Sequence, residues 1–140
     1  YRMRGPYTQL LAHLVWATWD RPPLIEPWLE GRLYAALSSE ARGLQCVPIA
    51  IGGMADHVHV LVRVHPTVAI ARLVQQLKGA SAHLINHEID RAAGFKWQGA
   101  YGAFSVSAVI APEVERYIAQ QKQHHAAGSL NLEWERVAEE

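Results

Sequence analysis

His57 and His59 stand two residues apart in the stretch Gly53-Met-Ala-Asp-His-Val-His-Val-Leu-Val-Arg-Val64. Side chains of an extended strand alternate between its faces. Val58, Val60, Val62 and Val64 therefore share one face, and His57, His59, Leu61 and Arg63 share the other. Two imidazoles placed side by side can ligate one metal ion or jointly hold one phosphate. Asp56, at the strand mouth, is positioned to support a ligating histidine from behind. A half-exposed strand that simply carries two histidines is the plainer reading of so short a pattern, and the pair alone does not decide.

A second candidate lies in Glu113–His125, where Tyr117 and Gln121 are four residues apart and His124 is seven from Tyr117. On a continuous helix all three fall on one side. A phenol with an ordinary pKa near 10 is a poor nucleophile unless a cation favours its ionised form or activates its target. A glutamine carbonyl is a neutral oxygen ligand for such a cation. Alone, Tyr117 reads more readily as part of a core stripe with Val114 and Ile118. Joined to the two histidines, the set changes meaning. Two imidazoles and one amide oxygen leave positions for water and phosphate, as metal-assisted phosphoryl transfer requires. The tyrosine would attack phosphorus in line, form a phosphotyrosine and release a hydroxyl.

The elements that must position these groups follow from periodicity. Tyr7–Trp19 reads as a strand stopped by Arg21-Pro22-Pro23. Pro27–Arg42 reads as a helix with Gly43 as its stop. Leu44–Gly53 is a second strand, which Pro48 marks as an edge. A turn at Met54-Ala55-Asp56 returns the chain into the histidine strand. Thr67 is placed to cap a helix running to about Arg91, with Gly79 as a point of kinking or close approach. Gly94–Gly102 is a loop, Ala103–Val109 a fourth strand, and Pro112 opens a last helix to about His125. The order β-α-β-β-α-β plus a C-terminal helix is an α+β, ferredoxin-like split βαβ arrangement, with an antiparallel sheet and helices on one face. The other face is left for a ligand or partner. Residues 1–126 read as a single domain and residues 127–140 as an acidic tail or arm.

With 140 residues, half of them hydrophobic and 19% charged, the chain suits one folded domain. No apolar run approaches the roughly 20 residues of a membrane helix, and no signal peptide is visible. The lone cysteine, Cys46, excludes an internal disulfide framework and a cysteine-held zinc, and fits a reducing cytoplasm. Net charge is zero, yet up to His125 there are 12 basic and 9 acidic residues. That balance permits a nucleic-acid surface without demanding one.

Taken together, these motifs resemble the small HUH single-tyrosine transposases of bacterial insertion sequences and their REP-associated relatives. The resemblance rests on His13-Leu-Val-Trp16, Asp56-His-Val-His59, Leu77-Lys-Gly79, Trp97-Gln98, Tyr101–Ser107, and the series Tyr117, Ile118, Gln121, His124, His125. They occur in the family's order through about nine-tenths of the chain. Ala55 departs from a frequent proline, and the near-neutral charge is low for such a protein.

The resemblance implies Tyr117 as nucleophile and His57, His59 and Gln121 as ligands of Mg²⁺ or Mn²⁺, with Asp56 and His124 supporting them. It also implies single-stranded DNA (an insertion-sequence end or hairpin) as partner, a bacterial cytoplasmic setting, and a homodimer whose tyrosine helices complete each other's sites. Lys78, Arg63, Arg72, Lys96 and Arg116 are candidates for phosphate contact, with a solvated face the plainer reading of any one. Trp97, Tyr101 and Phe104 are candidates for base stacking. His13, His65, His83 and His87 read as structural. Two rivals remain: a single-stranded nucleic-acid-binding module without chemistry, and a metal-dependent phosphodiesterase in which water attacks.

Overall fold

The computed structural model describes residues 5–139; the first four residues of the expected domain and Glu140 of the acidic run lie outside the described residues. Four strands form one antiparallel sheet: β1 (Leu11–Ala17), β2 (Val47–Met54), β3 (His57–Arg63) and β4 (Gly102–Val106), in the order β2-β3-β1-β4. That is the expected split βαβ order. It puts β1 and β3 in the centre, which is why both are buried on both faces along most of their length. Pro48 lies on the edge strand as its missing N–H requires, and the β2–β3 register shifts between Pro48 and Ala50.

Helices α1 (Pro27–Gly43) and α2 (Ile70–Leu84) cover one face. Leu29, Leu33, Leu37 and Ala41 of α1 recur at helical spacing, as do Leu73, Val74, Leu77 and Ser81 of α2. The apolar members of both stripes pack with Ala12, Leu14 and Trp16 of β1 and with the valine row Val58, Val60, Val62, Val64. The strand parity read from the sequence is thus the parity of the core.

Several boundaries differ from expectation: β1 and β4 are shorter than the Tyr7–Trp19 and Ala103–Val109 read from the sequence, and further differences have local reasons. Gly43 remains inside α1, and the left-handed residue after it is Gln45, at φ 62°, so β2 begins only at Val47. Thr67 bonds the ring of His65 at 2.7 Å instead of capping α2, which starts at Ile70. Gly79 neither kinks the helix nor admits a close neighbour, and beyond Leu84 the chain continues as a π-helical turn, Ile85–Ile89.

The opposite face is not left open. α3 (Ala111–Ala119) lies across β2 and β3, and Val114 and Ile118 form a second small core with Leu61 and Val106. Gly52 permits this: a Cβ there would collide with the carbonyl of Ile118. The expected single last helix is two, because Gln120 leaves helical geometry (φ −107°, ψ 25°) between α3 and α4 (Gln121–Ala127). Gly128, at φ 69°, ends α4. The acidic segment then turns back over the sheet through a 3₁₀ turn, Glu133–Glu135, and Gly102 of β4 has no side chain to block the carbonyl of Arg136. Among the described residues no helix is long and apolar enough to cross a membrane.

Candidate functional site

β3 brings His57 and His59 onto the α3 face, 2% and 0% exposed. Asp56 accepts a hydrogen bond from Nδ1 of His57 at 2.7 Å and is itself held by Nε of Arg21 at 3.0 Å. With Nδ1 engaged, His57 turns Nε2 inward, 3.2 Å from Oε1 of Gln121. Asp56 thus stands where the sequence placed it. His59 also turns Nε2 inward, because its Nδ1 shares a 2.8 Å hydrogen bond with Nε2 of His13. Tyr117 and Gln121, 6% and 1% exposed, complete the cluster from above. All four principal candidates are therefore neighbours within one chain.

At the centre sits a carboxylate that sequence reasoning left in the tail. Oε2 of Glu135 accepts from the Tyr117 hydroxyl at 2.6 Å and from Gln121 Nε2 at 3.3 Å. The same carboxylate lies 3.2 Å from Nε2 of His57 and 3.2 Å from Nε2 of His59. Ligand atoms of His57, His59 and Glu135 fall within 4.8 Å of one another. Two imidazole nitrogens, a carboxylate and an amide oxygen are donors that fit a divalent cation: the nitrogens suit zinc or nickel, and the oxygens move the preference toward magnesium or manganese.

The charges explain the arrangement. Burial opposes ionisation of His57, yet the Glu135 and Asp56 carboxylates outweigh it and hold its pKa above the ordinary imidazole value. Burial lowers that of His59, with Glu135 only partly offsetting it. Burial also holds His13 neutral, at a pKa of about 3. Burial would raise the Glu135 carboxyl, but its hydrogen bonds to His57, His59 and Tyr117 drive it far below the carboxylate range. Burial, then the bond to Glu135, push the Tyr117 phenol up to about 12. In this closed arrangement the phenol keeps its proton.

Other candidates are placed differently. His124 stacks on Tyr117, ring centroids 4.7 Å apart, and bonds Ser129, away from the cluster. His125, not His124, reaches inward, 3.1 Å from Oε1 of Gln121. Lys78 is half-buried and donates to the carbonyls of Gln98 and Ala100, both at 2.8 Å, so it staples the loop before β4 instead of facing solvent. Trp97 is core, its indole N–H donating to Ser81 at 2.9 Å, and is not free to stack on a base. Tyr101 is half-buried with Lys78 over its ring, and Arg63 bonds the carbonyl of Thr8. Arg116 is exposed and lines the cleft beside Tyr117 with Gln120, His124 and Asn131.

The sequence reading gave no place in the site to Glu135, His125 or His13. Strand parity held a signal for His13, since Leu14 and Trp16 on the apolar face leave it on the histidine face. Nothing local marks Glu135, which reaches the site only because the arm turns back.

A ferredoxin-like sheet with a further helix on its second face is a fold shared with the REP-associated tyrosine transposase solved on a REP hairpin, which superposes with a TM-score of 0.65 over 93% of this chain and 75% of its own, at 11% identity. A candidate transposase of Deinococcus radiodurans gives a TM-score of 0.66 at 28% identity, covering 86% of this chain and 97% of that one. The ISDra2 transposase TnpA of the same organism is 30% identical over 125 residues, 84% of this chain and 88% of the relative. The family model described as "Transposase IS200 like" matches residues 6–121, and the chain belongs to that family of transposases.

Proposed function

We propose that this chain cuts and rejoins single-stranded DNA through a covalent 5′-phosphotyrosine at Tyr117. The observation that supports this reading is the convergence of the Tyr117 hydroxyl, the inward nitrogens of His57 and His59 and the amide of Gln121 on one anion position, held here by the Glu135 carboxylate. The scissile phosphate would come to the position that Glu135 holds, so Glu135 must leave before DNA enters. With His57, His59 and Gln121 as its holders, a divalent cation, magnesium or manganese by the family resemblance, supplies charge neutralisation at the phosphate when bound. Asp56 keeps the His57 ring turned inward. Once deprotonated, the Tyr117 oxygen attacks phosphorus; the O–P bond to tyrosine forms, the P–O3′ bond breaks, and the leaving oxygen takes a proton to become a 3′-hydroxyl. Because the phosphotyrosine retains the ester linkage, another 3′-hydroxyl can reverse the step without an energy source. The DNA partner, the single domain of residues 1–126 with its acidic arm and the bacterial cytoplasmic setting belong to the same proposal.

Labelled single-stranded DNA, incubated with protein and Mn²⁺ and then denatured, should carry a shifted band. Tyr117→Phe should abolish the band and leave DNA binding nearly intact; a band that persists removes Tyr117 as nucleophile. The phosphodiesterase reading gains one specific observation, since Glu135 adds a carboxylate beside the histidines. Hydrolysis without an adduct, equal in wild type and Tyr117→Phe, would establish that reading instead.

The working unit of the proposal is a homodimer with composite sites. Within one chain α3 lies over its own histidines, but only residues 107–110 tie it to β4. A second copy could take the helix by changing the path of that connection and reproduce every contact. Mixing Tyr117→Phe with His59→Ala after subunit exchange separates the cases. Recovered adduct means shared sites, and none means that each chain completes its own.

A further inference from the structure

The two inward histidines are braced by different groups. His57 has a carboxylate behind it, Asp56, anchored in turn by Arg21. Behind His59 stands His13, on the neighbouring strand β1 and fully buried. The β1–β3 register pairs Val15 with His59 and His13 with Leu61, which sets His13 diagonally beside His59 on the same face. The His13 ring stacks on His59 with centroids 5.1 Å apart, and Phe104 and Trp134 hem it in at 5.7 and 5.9 Å. Its Nε2 makes the 2.8 Å bond, and its Nδ1 has no hydrogen-bond partner among the described residues. A buried polar ring with one nitrogen unmet carries a cost that pure packing would avoid, since an apolar ring would fill the same space.

We propose that His13 is a positioning residue for the reaction, holding Nδ1 of His59 so that Nε2 faces the phosphate-handling cluster. This rests on the reading of His59 as a cluster ligand. The need for such a brace follows from the geometry. In the closed arrangement Glu135 also restrains the His59 ring; once Glu135 gives way to DNA, His13 is its remaining polar anchor. The choice of a neutral brace also has chemical meaning. A neutral imidazole accepts from Nδ1–H of His59 and leaves the Nε2 lone pair free, or donates to Nδ1 when Nε2–H is given to Glu135. One contact therefore serves both the closed and the open site.

The test uses the whole chain with ¹⁵N-labelled histidines. In wild type, scalar coupling across the hydrogen bond should link Nε2 of His13 to Nδ1 of His59. His13→Phe keeps the ring-shaped filling between Phe104 and Trp134 but cannot make the bond. Its Mn²⁺ affinity by calorimetry should fall about tenfold or more, the scale seen for groups that orient metal-binding histidines, while the His57 signals stay in place. His13→Gln, whose amide reaches the position of Nε2, should recover most of the affinity. Unchanged affinity in His13→Phe, or a His13→Gln as weak as His13→Phe, would reduce His13 to packing. If His13→Phe does not fold, the wild-type coupling and His13→Gln still decide, and an absent coupling overturns the proposal. A coupling present in a wild type that binds no Mn²⁺ would leave His13 as the brace and remove instead the reading of His59 as a metal ligand.

Discussion

At the residue scale, burial and then the bond to Glu135 hold Tyr117 in its protonated state. A hydrogen bond from a neutral phenol to a carboxylate, with a like charge waiting if the phenol ionises, keeps the phenol protonated. Charged hydrogen bonds of this kind contribute about 1.5–3 kcal/mol. Glu135→Gln keeps the shape and removes the charge, so the Tyr117 pKa should fall from about 12 toward the ordinary tyrosine value of 10.0. Adduct formation at saturating Mn²⁺ should rise about 10- to 100-fold. Titrating the ¹³Cζ signals of tyrosine and timing the labelled band would check both, and a variant unchanged in both would show that Glu135 does not restrain the phenol. His57→Ala and His59→Ala should each lose cleavage by orders of magnitude, because each supplies one inward nitrogen that the other cannot replace. Cleavage that survives in EDTA would rule out the cation's part.

At the element scale, the seating of α3 on the sheet depends on a glycine. A methyl group at position 52 must push the Ile118 carbonyl, and with it the helix that carries Tyr117, away from β2. Gly52→Ala should therefore cost about 1–3 kcal/mol in urea denaturation and displace Tyr117 enough to abolish the adduct. Gly79→Ala offers the opposite sign. It lies inside α2 with nothing within 4 Å of an added Cβ, so the change should stabilise by about 0.5–1 kcal/mol and leave activity alone. Equal effects from both substitutions would count against this account of α3. The break at Gln120 belongs to the same scale: it lets α4 start afresh, so that His125 faces Gln121 while His124 stays on Tyr117.

For the whole molecule, the acidic arm is a part of the fold whose hold depends on pH. His57 titrates above 6.5 in the folded chain, so its stabilising contribution is complete below 6.5 and is lost as pH rises through the raised value. Glu135 titrates below 4.5, so its contribution is present above 4.5 and is lost only as pH falls through the depressed value. The arm is thus held best in mildly acidic to neutral solution. The difference in melting temperature between wild type and Glu135→Gln should be largest near pH 6 and shrink toward pH 9. A difference that grows with pH would contradict the assignment of charge to His57. Formal neutrality has the same origin: the basic excess up to His125 is offset by an arm whose carboxylate lies among the histidines.

Alternation along His57–Arg63 was enough to put both histidines on one face and the valines in the core, because parity in a strand is a local property. Spacing was enough to place the α1 and α2 stripes, and the chemistry of proline was enough to put Pro48 on an edge. The neighbourhood of Tyr117 and Gln121 was legible as well, since four residues span about one helical turn even across the break. What the chain does not encode locally is how distant segments meet. His13 and His59 are 46 positions apart and touch only through the β1–β3 register. Glu135 lies in a segment with no period, whose path is set by the left-handed Gly128, the bare edge of Gly102 and the packing of Trp134 against Tyr117 at 5.1 Å. Lys78 and Trp97 likewise looked available for DNA until tertiary contacts claimed them. Residue types and periodicity determined which groups could do the chemistry; strand register and the returning arm decided which of them meet, and which one keeps the tyrosine at rest.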